Sequence, residues 1–169
     1  MTRRVLVTIV IIVTGLLLQS TLFWQLKLLG VRPELMYLIT TIVAMLEGPA
    51  SGTVAGFASG MAQDFLLNQP KGITALTLTL VGYVVGNVRQ FITTTSPALP
   101  TLLVGGATAV GVLFYGMVSF LLGQLPAGFL FLLRVAFLSA LYNALLTPLL
   151  YPVLRRVAEA SRPRKVYRW

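Results

Sequence analysis

The feature that most constrains this chain is the grouping of its apolar residues into long blocks, broken only by short runs of Pro, Gly and polar residues. Blocks approaching ~20 residues match the ~30 Å hydrocarbon thickness of a bilayer, so each is a candidate membrane span. Hydrophobic residues make up 57% of the 169 positions and charged residues 10%, against roughly a quarter charged in soluble domains. The reading is an all-α, polytopic membrane helical bundle of about six transmembrane helices.

The spans predicted from the punctuation are residues 5–24, 34–46, 49–67, 73–88, 101–122 and 129–154, with 155–169 left as a basic cytoplasmic tail. The first block follows Arg3 and Arg4 as a signal peptide would. It is long, lacks a clean small-residue cleavage site and is followed by further spans, so an uncleaved helix is expected, with Trp24 as an interfacial anchor. The decisive break is Gly48-Pro49, where Gly permits a turn and Pro suits the first turn of a new helix. One unbroken helix over 35–67 would be ~50 Å long, beyond a single crossing even with tilt. Turn chemistry at Asn68, Gln69, Pro70, Lys71 and Gly72, and a break containing Pro126, separate later spans. Pro148 and Pro152 are expected to bend the end of the last helix.

Charge gives orientation but not span number. Six spans with both termini cytoplasmic place Arg3, Arg4, Arg89 and the tail inside, against Lys27, Arg32 and Lys71 outside. Five spans with the N-terminus outside divide the charges equally well, and both arrangements put the tail inside. The net charge of +9 does not indicate nucleic acid, because the basic residues are concentrated at the chain end and scattered among loops. Arg155, Arg156, Arg162, Arg164, Lys165 and Arg168 face only Glu159 there, a pattern that attracts anionic lipid at about 1 kcal/mol per charge.

Gly48, Gly52, Gly56 and Gly60 recur at four-residue spacing and lead to Asp64, while Gly82 and Gly86 repeat the device. Such stripes remove side-chain bulk and let another backbone approach, within the bundle or on a partner. A four-residue step drifts ~40° per turn, so the stripe is expected to meet more than one neighbour. The third and fourth helices are the expected pair. Asp64 and Arg134 are the acid and the base set inside apolar blocks. An ion pair between them, or hydrogen bonds to polar neighbours, is expected ahead of a transport role, with snorkelling the other option for Arg134. Asn143 and Gln19 are expected to bond between helices.

Catalytic sets are missing from the sequence. It contains no Cys and no His, which removes the usual zinc, thiolate and imidazole chemistry, and it has no phosphate-binding loop or hydrolase elbow. No enzyme activity and no cofactor are expected.

The residues Arg32-Pro33-Glu34-Leu35, Gly48-Pro49, Gly52, Gly56-Phe57, Gly60 and Asp64 resemble the MreD family of bacterial rod-shape-determining membrane proteins. The match extends through Gly72, Ala75-Leu76, Val81-Gly82-Tyr83 and Gly86, and again over residues 141–146 with Pro148 and Tyr151-Pro152. The resemblance implies a bacterial inner-membrane component of the lateral-wall peptidoglycan machinery. Its implied partners are MreC, the RodA glycosyltransferase, its class B penicillin-binding transpeptidase and the filament protein MreB, with a homodimer left open. It also implies a fold similar to the substrate-binding subunits of energy-coupling-factor transporters, so a small-solute-binding subunit is the alternative. Few polar or aromatic residues in the outward loops weigh against a retained solute pocket.

Overall fold

The computed structural model describes residues 2–21, 31, 33–66, 72–92, 96, 98–123 and 128–161. Over these residues the protein is all-helical: α1 (Thr2–Thr21), α2 (Leu35–Glu47), α3 (Pro49–Leu66), α4 (Ile73–Phe91), α5 (Leu99–Leu121) and α6 (Phe129–Ser161). Trp24, the turn cluster at 68–71 and the Pro126 break lie outside the described residues.

The Gly48-Pro49 break is real. Gly48 has φ +94°, a backbone conformation that side-chain-bearing residues rarely adopt. Its N–H still bonds the Ala44 carbonyl at 3.0 Å, and its own carbonyl accepts from Gly52 N–H at 3.0 Å. The chain therefore closes α2 and opens α3 with no intervening loop, and Pro49 loses nothing as the first helical residue because that N–H would be unpaired anyway.

α2 is the centre of the bundle. It touches every other helix, and Leu35 through Ala44 are all buried. At 13 residues it is only ~20 Å long, short of a full crossing. α5 and α6 are long and apolar enough to span a membrane by length and composition, and only 28% and 17% of their most apolar stretches are buried in the protein. The core helix of a soluble protein would be mostly covered. Here the exposed surface of α5 and α6 carries Leu102, Val110, Phe120, Leu130, Phe137 and Leu145, while Thr40, Thr77, Thr108, Ser139, Asn143 and Thr147 are buried. Apolar outside and polar inside is the distribution expected when lipid is the solvent.

α6 runs past the expected end of the last span. It continues through Pro148 and Pro152 to Ser161, so Arg155 and Arg156 stand on a helix and are not part of an irregular tail. Each proline removes one backbone donor. Packing against α5, α2 and α1 offsets that loss along a helix of 33 residues.

Candidate functional site

The glycine positions are filled from within the fold. A Cβ on Gly56 would overlap the Leu78 carbonyl, and one on Gly60 would overlap the backbone of Ala75. Gly52 and Gly82 each meet the other's carbonyl, and Gly86 meets the backbone of Pro49. These contacts run in order along α3 and in reverse order along α4, as in a tight antiparallel pair. Backbone touches backbone, gaining dispersion and Cα–H···O contacts that lipid tails do not supply. Gly52 also meets the side chain of Ala44 on α2, so the stripe serves two neighbours. Gly48 is not part of this surface: a Cβ there would meet nothing within 4 Å, and its role is the positive-φ break. The other five positions are occupied by the protein's own helices, which leaves no room there for a partner helix.

Asp64 lies one turn beyond Gly60 and caps α4 from the neighbouring helix. Its Oδ2 accepts from Gly72 N–H at 2.8 Å and from Ala75 N–H at 3.3 Å. Gly72, at φ +97°, has no side chain to cap α4 itself, and the carboxylate supplies both the acceptor and a negative charge at the positive end of the helix dipole. Asp64 is 1% exposed, whereas Arg134 is exposed on α6. Among the described residues these two form no ion pair with each other. Backbone N–H groups at a helix start hold the carboxylate instead.

A second polar cluster gathers on Glu34, the half-buried residue preceding α2. Gln63 Nε2 of α3 and Gln19 Nε2 of α1 donate to Glu34 Oε2 at 3.2 and 3.5 Å. Asn143 Nδ2 of α6 donates to the Glu34 carbonyl at 2.8 Å and to Thr108 Oγ1 of α5 at 3.0 Å. The Thr108 hydroxyl can accept because its own proton goes to the Val104 carbonyl at 2.7 Å. Five chain segments therefore converge on the entrance to α2. Sequence reasoning gave Asn143 and Gln19 a bonding role, named Glu34 only within the stretch that carries the family resemblance, and did not name Gln63 or Thr108. The available signals were the placement of Glu34 directly after Pro33 and of Gln63 beside Asp64, a polar pair inside an apolar block. Asn143→Leu removes both donated bonds while keeping the number of heavy atoms, and a loss of about 1–2 kcal/mol is expected. Thermal unfolding in detergent checks this, and a midpoint equal to wild type would mean that the two bonds contribute nothing.

A groove of about 400 Å³ lies between α4 and α5. Leu80, Val84 and Val88 form one wall, and Leu102, Gly106 and Val110 the other. Its one hydroxyl, on Thr77, donates to the Ile73 carbonyl at 2.8 Å. A Cβ on Gly106 would meet nothing within 4 Å, so this glycine leaves open a space that no helix of the bundle fills.

At the far end of α6, Arg155 Nε donates to Glu159 Oε1 at 2.7 Å across one turn, with both side chains about half exposed, an arrangement of little energetic weight. Arg162, Arg164, Lys165 and Arg168 lie outside the described residues. The chain matches the family model described as rod shape-determining protein MreD over residues 1–157. No curated protein and no solved structure matches it.

Proposed function

The chain belongs to the MreD family of rod shape-determining membrane proteins, and on that premise we propose that it is a non-enzymatic scaffold of the cell-elongation machinery in the bacterial inner membrane. In this reading it binds the transmembrane helix of MreC and supports lateral-wall peptidoglycan synthesis by RodA and the class B transpeptidase. The carrying observation is the apolar α4–α5 groove. The glycine faces of α3 and α4 are already closed on each other, whereas the groove is a concave apolar surface open to a helix from outside the chain. Gly106 would admit its backbone or a large side chain. In this reading both termini lie in the cytoplasm: the positive-inside pattern supports that side for the tail, an even number of spans would bring the N-terminus to the same side, and the basic end of α6 would face anionic lipid and MreB.

Gly106→Trp tests the assignment, because its Cβ would meet nothing within 4 Å and Gly106 lines the groove that the indole would fill. The variant is expected to fold with a wild-type thermal midpoint, to lose MreC from detergent pull-downs by roughly tenfold or more, and to give rounded cells. A loss of tenfold corresponds to about 1.4 kcal/mol, within the range for blocking one well-packed contact. Leu145→Trp, on an exposed α6 position away from the groove, is the control. Full MreC recovery with Gly106→Trp would sink the groove assignment.

A further inference from the structure

We propose that Arg134 holds the phosphate of a membrane lipid in the leaflet opposite Arg155 and Arg156, with an acyl chain of that lipid laid along Phe137 and Leu141. The depth follows from the sequence of α6. Between Arg134 and Arg155 lie 20 residues, Val135 to Leu154, without a single charge. At ~1.5 Å per residue they measure ~30 Å, the thickness of the hydrocarbon layer. Arg155 and Arg156 are exposed at one end of that stretch and Arg134 at the other. The three arginines therefore mark the two faces of the bilayer along one helix.

Nothing in the chain answers the charge of Arg134. Leu130 and Phe131 stand one turn before it and Phe137 one turn after it, all exposed, and Leu141 continues the row. Among the described residues Arg134 makes neither an ion pair nor a hydrogen bond. α5 carries no acid, and the first acid further along α6 is Glu159, 25 residues on, where it pairs with Arg155. Asp64 is committed to the start of α4. The guanidinium is thus a permanent cation on an apolar, lipid-facing surface, a position in which charges are rare unless they are paired or carried to the interface.

At the end of an uncharged stretch as long as the hydrocarbon layer is thick, the anion at hand is the lipid phosphate. Its oxygens accept in pairs from the planar guanidinium fork, and the arginine stem lies along the apolar surface to bring the fork there. From the phosphate an acyl chain runs toward the bilayer centre. Phe137 and Leu141 follow Arg134 in that same direction on the same helix face, so one molecule meets the charge and the apolar row together. An acid on a neighbouring transmembrane helix would answer the charge alone, in competition with the headgroups at that depth. The site is separate from the α4–α5 groove, which α6 does not line, and independent of any partner protein.

The test is native mass spectrometry of the delipidated full chain in detergent, titrated with dioleoyl phosphatidylglycerol. One lipid is expected to bind ahead of the others. Arg134→Gln is expected to weaken that first binding by roughly fivefold or more. A full-length variant with Arg162, Arg164, Lys165 and Arg168 all changed to Gln is expected to keep it, which separates the site from the basic chain end. Dioleoylglycerol, with the same chains and no phosphate, is expected not to compete. Equal first affinities of wild type and Arg134→Gln overturn the site, and so does a first lipid lost only in the chain-end variant. Competition by dioleoylglycerol overturns the role of the phosphate, and displacement by inorganic phosphate overturns that of the acyl chain. Absence of a first lipid, with Arg134 crosslinking in membranes to an acid of another chain, overturns the lipid and assigns this face to a partner helix.

Discussion

Gly56→Leu is expected to yield no monodisperse folded protein in detergent, while Gly106→Leu is expected to yield wild-type amounts. The difference lies in what each new side chain meets. At Gly56 even the first carbon overlaps the carbonyl of Leu78, and the backbone of Thr79 is close behind. Backbone cannot move aside as a flexible side chain does, so α3 and α4 must separate. Separation also opens the neighbouring contacts at Gly52, Gly60, Gly82 and Gly86, since all five positions depend on the same interhelical distance. Gly56→Ala introduces only the Cβ and is expected to cost about 1–3 kcal/mol, the usual range for overpacking. The added bulk of leucine exceeds what the pair can absorb. Size-exclusion profiles and thermal midpoints of the three variants check this. A well-folded Gly56→Leu would mean that the two helices are not in backbone contact.

Asp64→Ala is expected to be the most damaging of the polar substitutions, at about 2–3 kcal/mol. It removes an N-cap from α4 and leaves the buried N–H groups of Gly72 and Ala75 without their acceptor. Asp64→Asn keeps an acceptor oxygen and loses the charge facing the helix dipole, so about 1 kcal/mol is expected. Arg134→Gln should change stability by no more than about 0.5 kcal/mol, because the side chain is exposed and does not touch Asp64. Thermal unfolding of the three variants separates cap from ion pair. Equal losses for Asp64→Ala and Arg134→Gln would restore the ion pair and remove the cap.

Much of the helical framework was legible because helix starts and stops are local events. Gly48-Pro49 marks a break through a positive φ and a missing N–H, both properties of the residues themselves. The helix end expected near Leu154 falls too early, since α6 continues through Pro148 and Pro152 to Ser161. The glycine spacing pointed to close helix contact, but spacing alone placed Gly48 in the stripe with Gly52, Gly56 and Gly60. Only the backbone conformation separates it from them.

Asp64 was conspicuous as an acid within an apolar block, yet its acceptor role was hidden because its donors are backbone N–H groups, which every residue but proline carries. Glu34 was harder still. Its partners Gln19, Gln63 and Asn143 lie 15, 29 and 109 residues away, and no short pattern connects them.

What the sequence by itself determined was the class of solvent and the local order of the chain: long apolar blocks that suit a bilayer, helices cut where Gly and Pro permit, and a family signature in the punctuation. What only the tertiary structure decided was which faces meet. α2 became the buried centre, α3 and α4 closed on their glycines, and Glu34 gathered amides from three helices. The physical reason is that lipid-facing and core-facing surfaces are both apolar, so hydrophobic periodicity does not tell inside from outside. In such a bundle the arrangement rests on how closely backbones can approach and on where buried polar groups find partners, and both are properties of residues distant in sequence and adjacent in space.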